Sequence, residues 1–303
     1  MRWNGRLQDM GDSRSRTLVA IGLMVLGMFV LASMDTLAKV LSQDMPVVQV
    51  VWGRYFFQFA LLLVLVPRVG LAGLLATRRL KTQIVRGLLV AVATMCLFTA
   101  LTVVPLADAY VITFTSPFIV TLLSIPLLGE RVGIRRLGAI FMGFLGVLLV
   151  IRPGFAGFHP MLVLPLVTAA CFALYQVLTR MIGSLPSETP LAMLFYMASI
   201  GALAQSLVVP FHWQPLTLLQ WGGLACMGLL AVLGHLILIR ALSMASAVIL
   251  SPFIYTQLIW AIGYGYWLFG DMPDLWMAAG CAVIVASGLF MFHREALRRH
   301  DEG

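Results

Sequence analysis

The sequence is poor in charge and in the residues from which many enzyme sites are built. Of its 303 residues only 11% are charged and five are histidine, and neither a HExxH motif nor a G-x-x-x-x-G-K-[ST] loop occurs. Soluble domains are about a quarter charged, so an ordinary soluble domain is excluded. An integral-membrane enzyme would need His, Asp and Glu clustered at one face, and that pattern is missing. Any use of ATP would depend on a partner that supplies the nucleotide site.

Cysteine is also scarce. The four cysteines lie inside apolar blocks and have neither the spacing of a metal site nor that of a disulfide framework. Their expected role is that of small buried apolar residues. We therefore predict no metal ligand, no cofactor and no catalytic residue. The four are Cys96, Cys171, Cys226 and Cys281.

Hydrophobic residues, in contrast, are abundant and come in long blocks. They make up 61% of the chain, whose mean hydropathy is +0.99. A helix needs about 20 apolar residues to span a bilayer, whereas barrel strands would alternate over about 10 residues. The sequence therefore predicts an all-α membrane protein with ten transmembrane helices. The ten blocks are 17–40, 47–66, 83–103, 106–128, 134–151, 160–182, 189–210, 216–241, 244–268 and 273–292.

Basic residues are distributed unevenly between the two sides that ten spans create. Seventeen of the 20 lysines and arginines fall on the side of the termini, and Lys39, Arg54 and Arg152 fall toward the other side. Because cytoplasmic loops carry an excess of positive charge, we expect both termini in the cytoplasm and the spans in a bacterial inner membrane. This orientation explains the net charge of +8, so no nucleic-acid partner is expected.

The chain contains an internal repeat with an offset of 141 residues. Each repeat holds five spans, so the second copy enters the membrane from the opposite side, as in inverted-repeat transporters. We assign 1–16 and 293–303 to cytoplasmic tails, and 17–151 and 160–292 to the two repeats. The matches are Ala100-Leu101 with Ala241-Leu242, Leu128-Gly129-Glu130 with Phe269-Gly270-Asp271, Lys39 with Arg180, and Tyr55 with Tyr196.

Short motifs occur in the fourth and ninth blocks and at their ends. They are Pro105-Leu106-Ala107-Asp108-Ala109, Ser116-Pro117-Phe118 and Pro126-Leu127-Leu128-Gly129-Glu130-Arg131 in the first repeat, and Ser251-Pro252-Phe253, Tyr255 and Phe269-Gly270-Asp271-Met272-Pro273 in the second. With the two five-span halves, these motifs resemble the drug/metabolite transporter superfamily and its EamA-type branch. The resemblance covers the chain from about residue 18 to about residue 292.

This resemblance implies ten helices around a central cavity, alternating access, and a small organic solute. The run from Pro105 to Phe118 looks most like that of bacterial members associated with uptake of riboflavin or S-adenosylmethionine. Asp271 departs from the family pattern, which often has Glu at this position, so the charge is kept but the side chain is shorter.

The fourth block is unusually polar for a membrane span. A carboxylate within the membrane is costly, so we expect Asp108 to face a cavity or a cation. Alternatively it caps the helix at the interface, where the helix dipole favours an acid. Tyr110, Thr113 and Ser116 are further candidates for the wall of a cavity.

Blocks one and two carry a second set of charges. Asp35 either pairs with Lys39 one helical turn away or serves as a cavity acid that binds a proton or a cationic group. Arg54 is a candidate partner for Asp35 or Asp108, and alternatively a ligand for an anionic group of the substrate.

The second repeat adds polar and aromatic candidates. Tyr175 and Gln176 lie in block six, where Gln176 matches Asp35 of the first repeat. His235 in block eight either couples transport to protons or bonds to a neighbouring helix. Block nine adds Tyr255, Gln257 and Trp260.

Aromatic rings of blocks four and nine could hold a flat heterocycle, as aromatic walls do in ligand pockets. The rings are those of Phe114, Tyr255 and Trp260. An interfacial belt is the alternative. Glu130 and Asp271 follow glycines at the ends of these blocks, so we expect turn or gating roles in which they pair with Arg131, Arg135 or a neighbouring loop.

The leading functional hypothesis is a secondary transporter. The best guess for its activity is uptake of a vitamin or metabolite such as riboflavin or S-adenosylmethionine. Export of amino acids or drugs is the alternative within the superfamily, and an enzyme or a channel is less consistent with an inverted repeat. The expected partners are a small-molecule substrate, the lipid bilayer and, as candidate coupling ion, a proton carried by Asp35, Asp108 or His235. The chain is expected to act as a monomer or homodimer.

Overall fold

The computed structural model describes residues 2–64, 70–129, 133–151, 159–183, 185, 187–245 and 247–301, and within these ranges the chain forms ten main helical segments. Short helical turns at Leu71–Leu74, Pro160–Leu162 and Val209–His212 lie in the connections. The ten segments are α1 (Arg2–Asp44), α2 (Val47–Leu63), α3 (Leu80–Leu101), α4 (Leu106–Leu128), α5 (Ile134–Ile151), α6 (Val163–Gly183), α7 (Pro190–Val208), α8 (Leu218–Met244), α9 (247–269) and α10 (Leu275–Asp301).

Six of the described helices are long and apolar enough to cross a membrane: those at α1, α3, α4, α6, α7 and α8. Helices α2, α5 and α10 contribute shorter apolar stretches, and α9 is divided into several helical pieces. Helix α1 begins at Arg2 and α10 ends at Asp301, so both helices continue past the apolar blocks into the polar termini. Hydrogen bonding within a helix satisfies every backbone group at membrane depth, which is why the apolar blocks are helical.

Two of the ten segments are broken. Helix α4 consists of Leu106–Thr113 and Ser116–Leu128, joined by a turn at 114–115. Helix α9 passes from a 3-10 stretch at Ser251–Tyr255 into the α-helix Thr256–Tyr264. Each repeat has a Ser-Pro-Phe motif beside its break. Proline has no N–H group and is tolerated at the start of a helix, so it suits these restart points.

The internal repeat governs how the helices pack. Helix α1 packs on α8 as α6 packs on α3, α2 packs on α8 as α7 packs on α3, and α1 packs on α9 as α6 packs on α4. Helices α2 and α7 pack on each other, as do α5 and α10, and each of these pairs joins equivalent helices of the two repeats. The predicted all-α fold with two inverted five-helix repeats is confirmed.

Local geometry follows the 141-residue offset as well. The hydroxyls of Thr115 and Thr256 each donate to the carbonyl three residues earlier, at 2.7 and 2.6 Å. Gly129 and Gly270 end their helices with φ of +69° and +68°. This left-handed conformation is nearly free of strain only for glycine, which explains why both repeats have glycine there.

Close helix crossings occur at equivalent glycines. A Cβ atom at Gly87 of α3 would lie 2.7 Å from the Cβ of Ile200, and one at Gly228 of α8 would lie 2.4 Å from the Cβ of Phe57. Small residues let transmembrane helices approach closely, so these glycines fix the depth at which α7 and α2 sit against their neighbours.

Candidate functional site

Three helices meet through a buried carboxylate. Asp35 of α1 is 6% exposed, and its Oδ2 atom accepts a hydrogen bond from the hydroxyl of Tyr110 in α4. The same hydroxyl accepts from Nε2 of Gln257 in α9 at 2.9 Å. Because α4 and α9 are the broken helices, this chain of hydrogen bonds joins α1 to both breaks. Such breaks are where inverted-repeat transporters place their sites.

A buried arginine lies close to this carboxylate. Arg54 of α2 is 5% exposed, and its Nη1 donates to the hydroxyl of Thr94 at 3.1 Å while its Nε lies 3.4 Å from the sulfur of Met34. Its positive charge acts on Asp35 and on His235. Because Met34 directly precedes Asp35 in α1, the guanidinium lies near the carboxylate, although no hydrogen bond joins the two among the described residues. The site therefore offers a negative and a positive group in the same buried region.

Aromatic rings lie at the two helix breaks. Phe114 and Tyr255 are equivalent in the repeat, and their ring centroids are 5.2 Å apart. Tyr110 lies 6.2 Å from Phe114 and connects the pair to the carboxylate. The Tyr255 hydroxyl is buried and has no hydrogen-bond partner among the described residues. The hydroxyl lies against Gly288 of α10, so what the pair offers at the breaks is a flat apolar wall.

The hydrogen bonds that link Asp35, Tyr110 and Gln257 form a first junction between helices, and the repeat-related residues form a second junction between α6 and α4. Gln176, the equivalent of Asp35, donates through Nε2 to the hydroxyl of Ser116 at 2.9 Å. Its neighbour Tyr175 packs its ring 4.9 Å from the guanidinium of Arg86, which is 2% exposed. This junction thus has an amide where the first has a carboxylate.

A small cavity of about 200 Å³ opens at the end of the bundle where α4 and α10 begin. Asp108 is half-buried in the first turn of α4 and lines the cavity. Asp271 lines it too, and its Oδ2 lies 3.3 Å from Nζ of Lys39. The lining residues are Pro105, Ala107, Asp108, Ile262, Gly265, Asp271, Met272, Pro273, Asp274 and Met277.

A second buried carboxylate lies in the loop before α7, at the opposite end of the bundle. Glu188 accepts hydrogen bonds from the hydroxyl of Thr77, the backbone N–H of Arg78 and Nε2 of Gln83, all at 2.8 to 2.9 Å. Burial disfavours its charge, but these donors outweigh burial and hold its pKa below the ordinary value. The network fixes the loop before α7 to the start of α3.

Several predicted partners are wrong. Asp35 bonds to Tyr110, and Lys39 is held by Asp271 instead of pairing with Asp35 one turn away. The partner of Asp271 is therefore a lysine of α1, not one of the arginines predicted from the sequence. Arg54 donates its hydrogen bond to Thr94, while its charge acts on Asp35, one of the two partners predicted for it.

Other predicted residues make no hydrogen bond to the chain Asp35–Tyr110–Gln257 within the described residues. The Thr113 hydroxyl donates to its own helix, and Nδ1 of His235 bonds the carbonyl of Ala231 at 2.7 Å. Trp260 packs edge-on against Phe29 at 5.0 Å, so it belongs to the contact between α1 and α9. Glu130 lies outside the described residues.

Sequence reasoning missed Thr94, Met34 and the network around Glu188. The repeat could have identified Thr94, because Thr94 is the equivalent of the predicted site residue His235 under the 141-residue offset. Met34 had no signal, since an apolar side chain in an apolar block does not stand out. Arg86, one of the seventeen basic residues counted on the side of the termini, is buried in α3.

An inverted pair of five-helix repeats, with polar groups gathered where two broken helices meet, defines a membrane transporter fold. The chain matches the EamA-like transporter family twice, at residues 18–152 and 159–293, and it belongs to that family. A crystal structure with 21% sequence identity aligns over 94% of this chain and 98% of its own length with a TM-score of 0.60, which shows the fold alone.

Relatives with assigned roles include both exporters and importers. The chain is 29% identical to the pseudopaline exporter CntI of Pseudomonas aeruginosa over 87% of this chain and 93% of the exporter. It is 26% identical to an S-adenosylmethionine uptake transporter of Rickettsia bellii, over 94% and 97% of the two chains. It is 28% identical to a riboflavin transporter of Brucella anthropi, over 83% and 89%.

Proposed function

We propose that this protein is a secondary transporter of a bacterial inner membrane that moves a small organic metabolite by alternating access and catalyses no chemical reaction. The observation that carries the proposal is the buried junction of Asp35, Tyr110 and Gln257, which joins α1 to both broken helices. Intramembrane carboxylates are retained where they bind a substrate or an ion. Both termini lie in the cytoplasm in this proposal, so the Lys39 end of the bundle faces outward.

The solute that fits best carries a positive group, a negative group and a flat ring. Asp35 would bind the positive group, Arg54 the negative group, and the rings of Phe114 and Tyr255 the flat part. S-adenosylmethionine has all three features, since it combines a sulfonium and an amino acid with a purine. Riboflavin supplies the flat ring but no positive group, so we place it second. The direction we propose is uptake.

Export is the second candidate function, and the similarity to an exporter over 87% of the chain favours it. The same site can serve either direction, because alternating access is reversible and the gradient sets the net flux. A monomer suffices in this proposal, since one chain contains both repeats, and a homodimer is the alternative.

A proton is the coupling ion that we propose, with Asp35 as its carrier. Among the buried polar residues of the described ranges, only Asp35 and Glu188 are acids, and Glu188 lies in a loop. A proton and a positive solute group would compete for the same carboxylate, so they would cross in opposite directions. An inward proton gradient would then drive the export named as the second candidate, and uptake would proceed down the solute gradient against competition from protons. Asp35→Asn would then lose the pH dependence of uptake, whereas Asp108→Asn would keep it.

Purified protein reconstituted into proteoliposomes tests the proposal. Labelled S-adenosylmethionine and riboflavin are supplied outside, and the vesicles are preloaded with the unlabelled compound to drive counterflow. We expect saturable counterflow of S-adenosylmethionine and a smaller signal for riboflavin. Non-saturating flux without counterflow would instead indicate a channel, and turnover of the solute or of a lipid would indicate an enzyme.

A further inference from the structure

Lys39 ties three parts of the chain together at one end of the bundle. Its Nζ donates to the backbone carbonyl of Val104 at 3.0 Å and lies 3.3 Å from Oδ2 of Asp271. The same ammonium sits 4.6 Å from the ring centroid of Phe269. One side chain of α1 thereby holds the segment before α4 and the end of α9.

The acid of this pair has a fixed position. Gly270 adopts φ of +68°, and the N–H of Asp271 donates to the carbonyl of Gly265 at 3.0 Å. This is the glycine-dependent arrangement that terminates many helices. The backbone therefore aims the carboxylate at Lys39, whose long flexible side chain is the part that can move away.

Along α1, Lys39 lies on the cavity side of the buried carboxylate. Asp271 lines the cavity, and Lys39 lies one turn from Asp35 on the same face of α1. The Lys39 side chain is 10% exposed and that of Asp271 is 28% exposed. A solute passing from the cavity toward Asp35 would meet this pair. Because the pair is partly exposed, it is weak enough to open and close repeatedly.

The two ends of the bundle differ at the equivalent position. Arg180 matches Lys39 in the repeat and is exposed, whereas Lys39 is buried. Lys39 thus closes its end of the bundle, whereas the side chain of the repeat-related Arg180 lies at the surface. Alternating access requires such a difference between the two ends.

We propose that the Lys39–Asp271 pair is the outer gate of the pathway, and that release of Lys39 from both Asp271 and Val104 opens the route from the cavity to Asp35. The gate rests on the proposed transport function, but its opening is measured without any transported solute. Failure of the gate is thus distinguishable from failure of the transport proposal.

Cysteine labelling from outside the cell tests the gate. The four native cysteines of the full chain are replaced by serine, and Thr113→Cys is added as a reporter one turn beyond Tyr110 toward the middle of the bundle. Cells are treated with a membrane-impermeant maleimide, and the labelling rate is followed. We expect slow labelling with the pair intact and labelling about five- to tenfold faster with Lys39→Ala or Asp271→Asn.

A charge swap and a cavity control complete the test. Lys39→Asp combined with Asp271→Lys is expected to restore slow labelling of the reporter, since the attraction is re-formed. Ala107→Cys lies on the cavity side of the pair and is expected to label equally in every background. Equal reporter rates with and without the pair, or a swap that labels as fast as the single variants, would overturn the gate.

Discussion

The two junctions related by the repeat share a frame but differ in charge. At one, Asp35 of α1 reaches Gln257 of α9 through the hydroxyl of Tyr110. At the other, Gln176 of α6 reaches Ser116 of α4 directly, both of these groups are neutral, and the only charge beside them in the described residues is the buried cation Arg86. The helix packing around the two junctions follows the same pattern. The difference therefore lies in the side chains and not in the architecture.

This difference suggests how a symmetric frame can hold an asymmetric solute. Two equal halves are needed for the frame to open alternately toward each side, but two equal binding sites would compete for one substrate. Keeping the carboxylate and the arginine in the first repeat concentrates binding on the side of α1 and α2. The neutral junction is left to hold α6 against α4.

Neutralising the charged junction is expected to have the largest effect. Asp35→Asn keeps the shape but removes the negative charge, so counterflow of S-adenosylmethionine should fall about 100-fold, because one member of a buried charge pair is lost. Gln176→Asn is the matched change at the neutral junction and should reduce flux less than about threefold. Equal losses in both variants would remove the distinction between the junctions.

The helix packing that the two repeats share can be disrupted at the equivalent glycines Gly87 and Gly228. Gly228→Ala would place a Cβ atom 2.8 Å from the backbone of Phe57, where nothing can easily shift, and should lower the free energy of unfolding by about 1–3 kcal/mol. Gly87→Ala faces only the side chain of Ile200 and should cost less. Gly22→Ala has nothing within 4 Å and serves as the control. Thermal melting in detergent ranks the three; a Gly228 variant as stable as the control would contradict the packing.

Breaking the link in the charged junction should have an intermediate effect. Tyr110→Phe removes the hydroxyl that joins Asp35 to Gln257, and we expect the KM for S-adenosylmethionine to rise about tenfold with little change in melting temperature. Ser116→Ala removes the hydroxyl that accepts from Gln176 in the second junction and should change KM less than about threefold. A larger effect at Ser116 would reverse our assignment.

The smallest effect concerns Glu188, which lies in a loop and outside both junctions. Its hydrogen bonds hold its folded pKa below 4.5, so the carboxylate stabilises the fold above the unfolded pKa, and this stabilisation is lost as pH falls through the lower folded value. Glu188→Gln should therefore cost about 1 kcal/mol at pH 7 and less near pH 3.5. Melting curves at both values check this against Asp44→Asn, a change of an exposed acid. A deficit that is independent of pH would refute the role of the charge.

Much of the fold could be predicted because hydropathy and the repeat are properties of the sequence itself. Apolar blocks mark the spans, and the 141-residue offset already pairs Gly129 with Gly270. The breaks in α4 and α9 were harder to predict from the sequence. The prolines at 117 and 252 indicate roughly where each helix is interrupted, but they do not identify the residue at which it stops. Those positions depend on which hydroxyls and carbonyls meet after packing.

The contacts of the site could not be predicted because they join distant parts of the chain. Lys39 and Asp271 are 232 residues apart, and the expected partner of Lys39 was Asp35, only one turn away. Local spacing favours the nearer acid, but Tyr110 takes that carboxylate once α4 packs on α1. Thr94 could have been predicted as the repeat equivalent of His235, whereas no sequence pattern identified Met34.

Equilibrium binding of S-adenosylmethionine to the purified protein tests the central claim most directly, since it isolates recognition from transport. Saturable binding by the wild-type chain should weaken about 100-fold in Asp35→Asn and less than about threefold in Gln176→Asn, because only the first junction supplies a carboxylate for the positive group of the solute. Unchanged affinity in Asp35→Asn, or equal loss in both variants, would contradict the assignment of binding to the charged repeat.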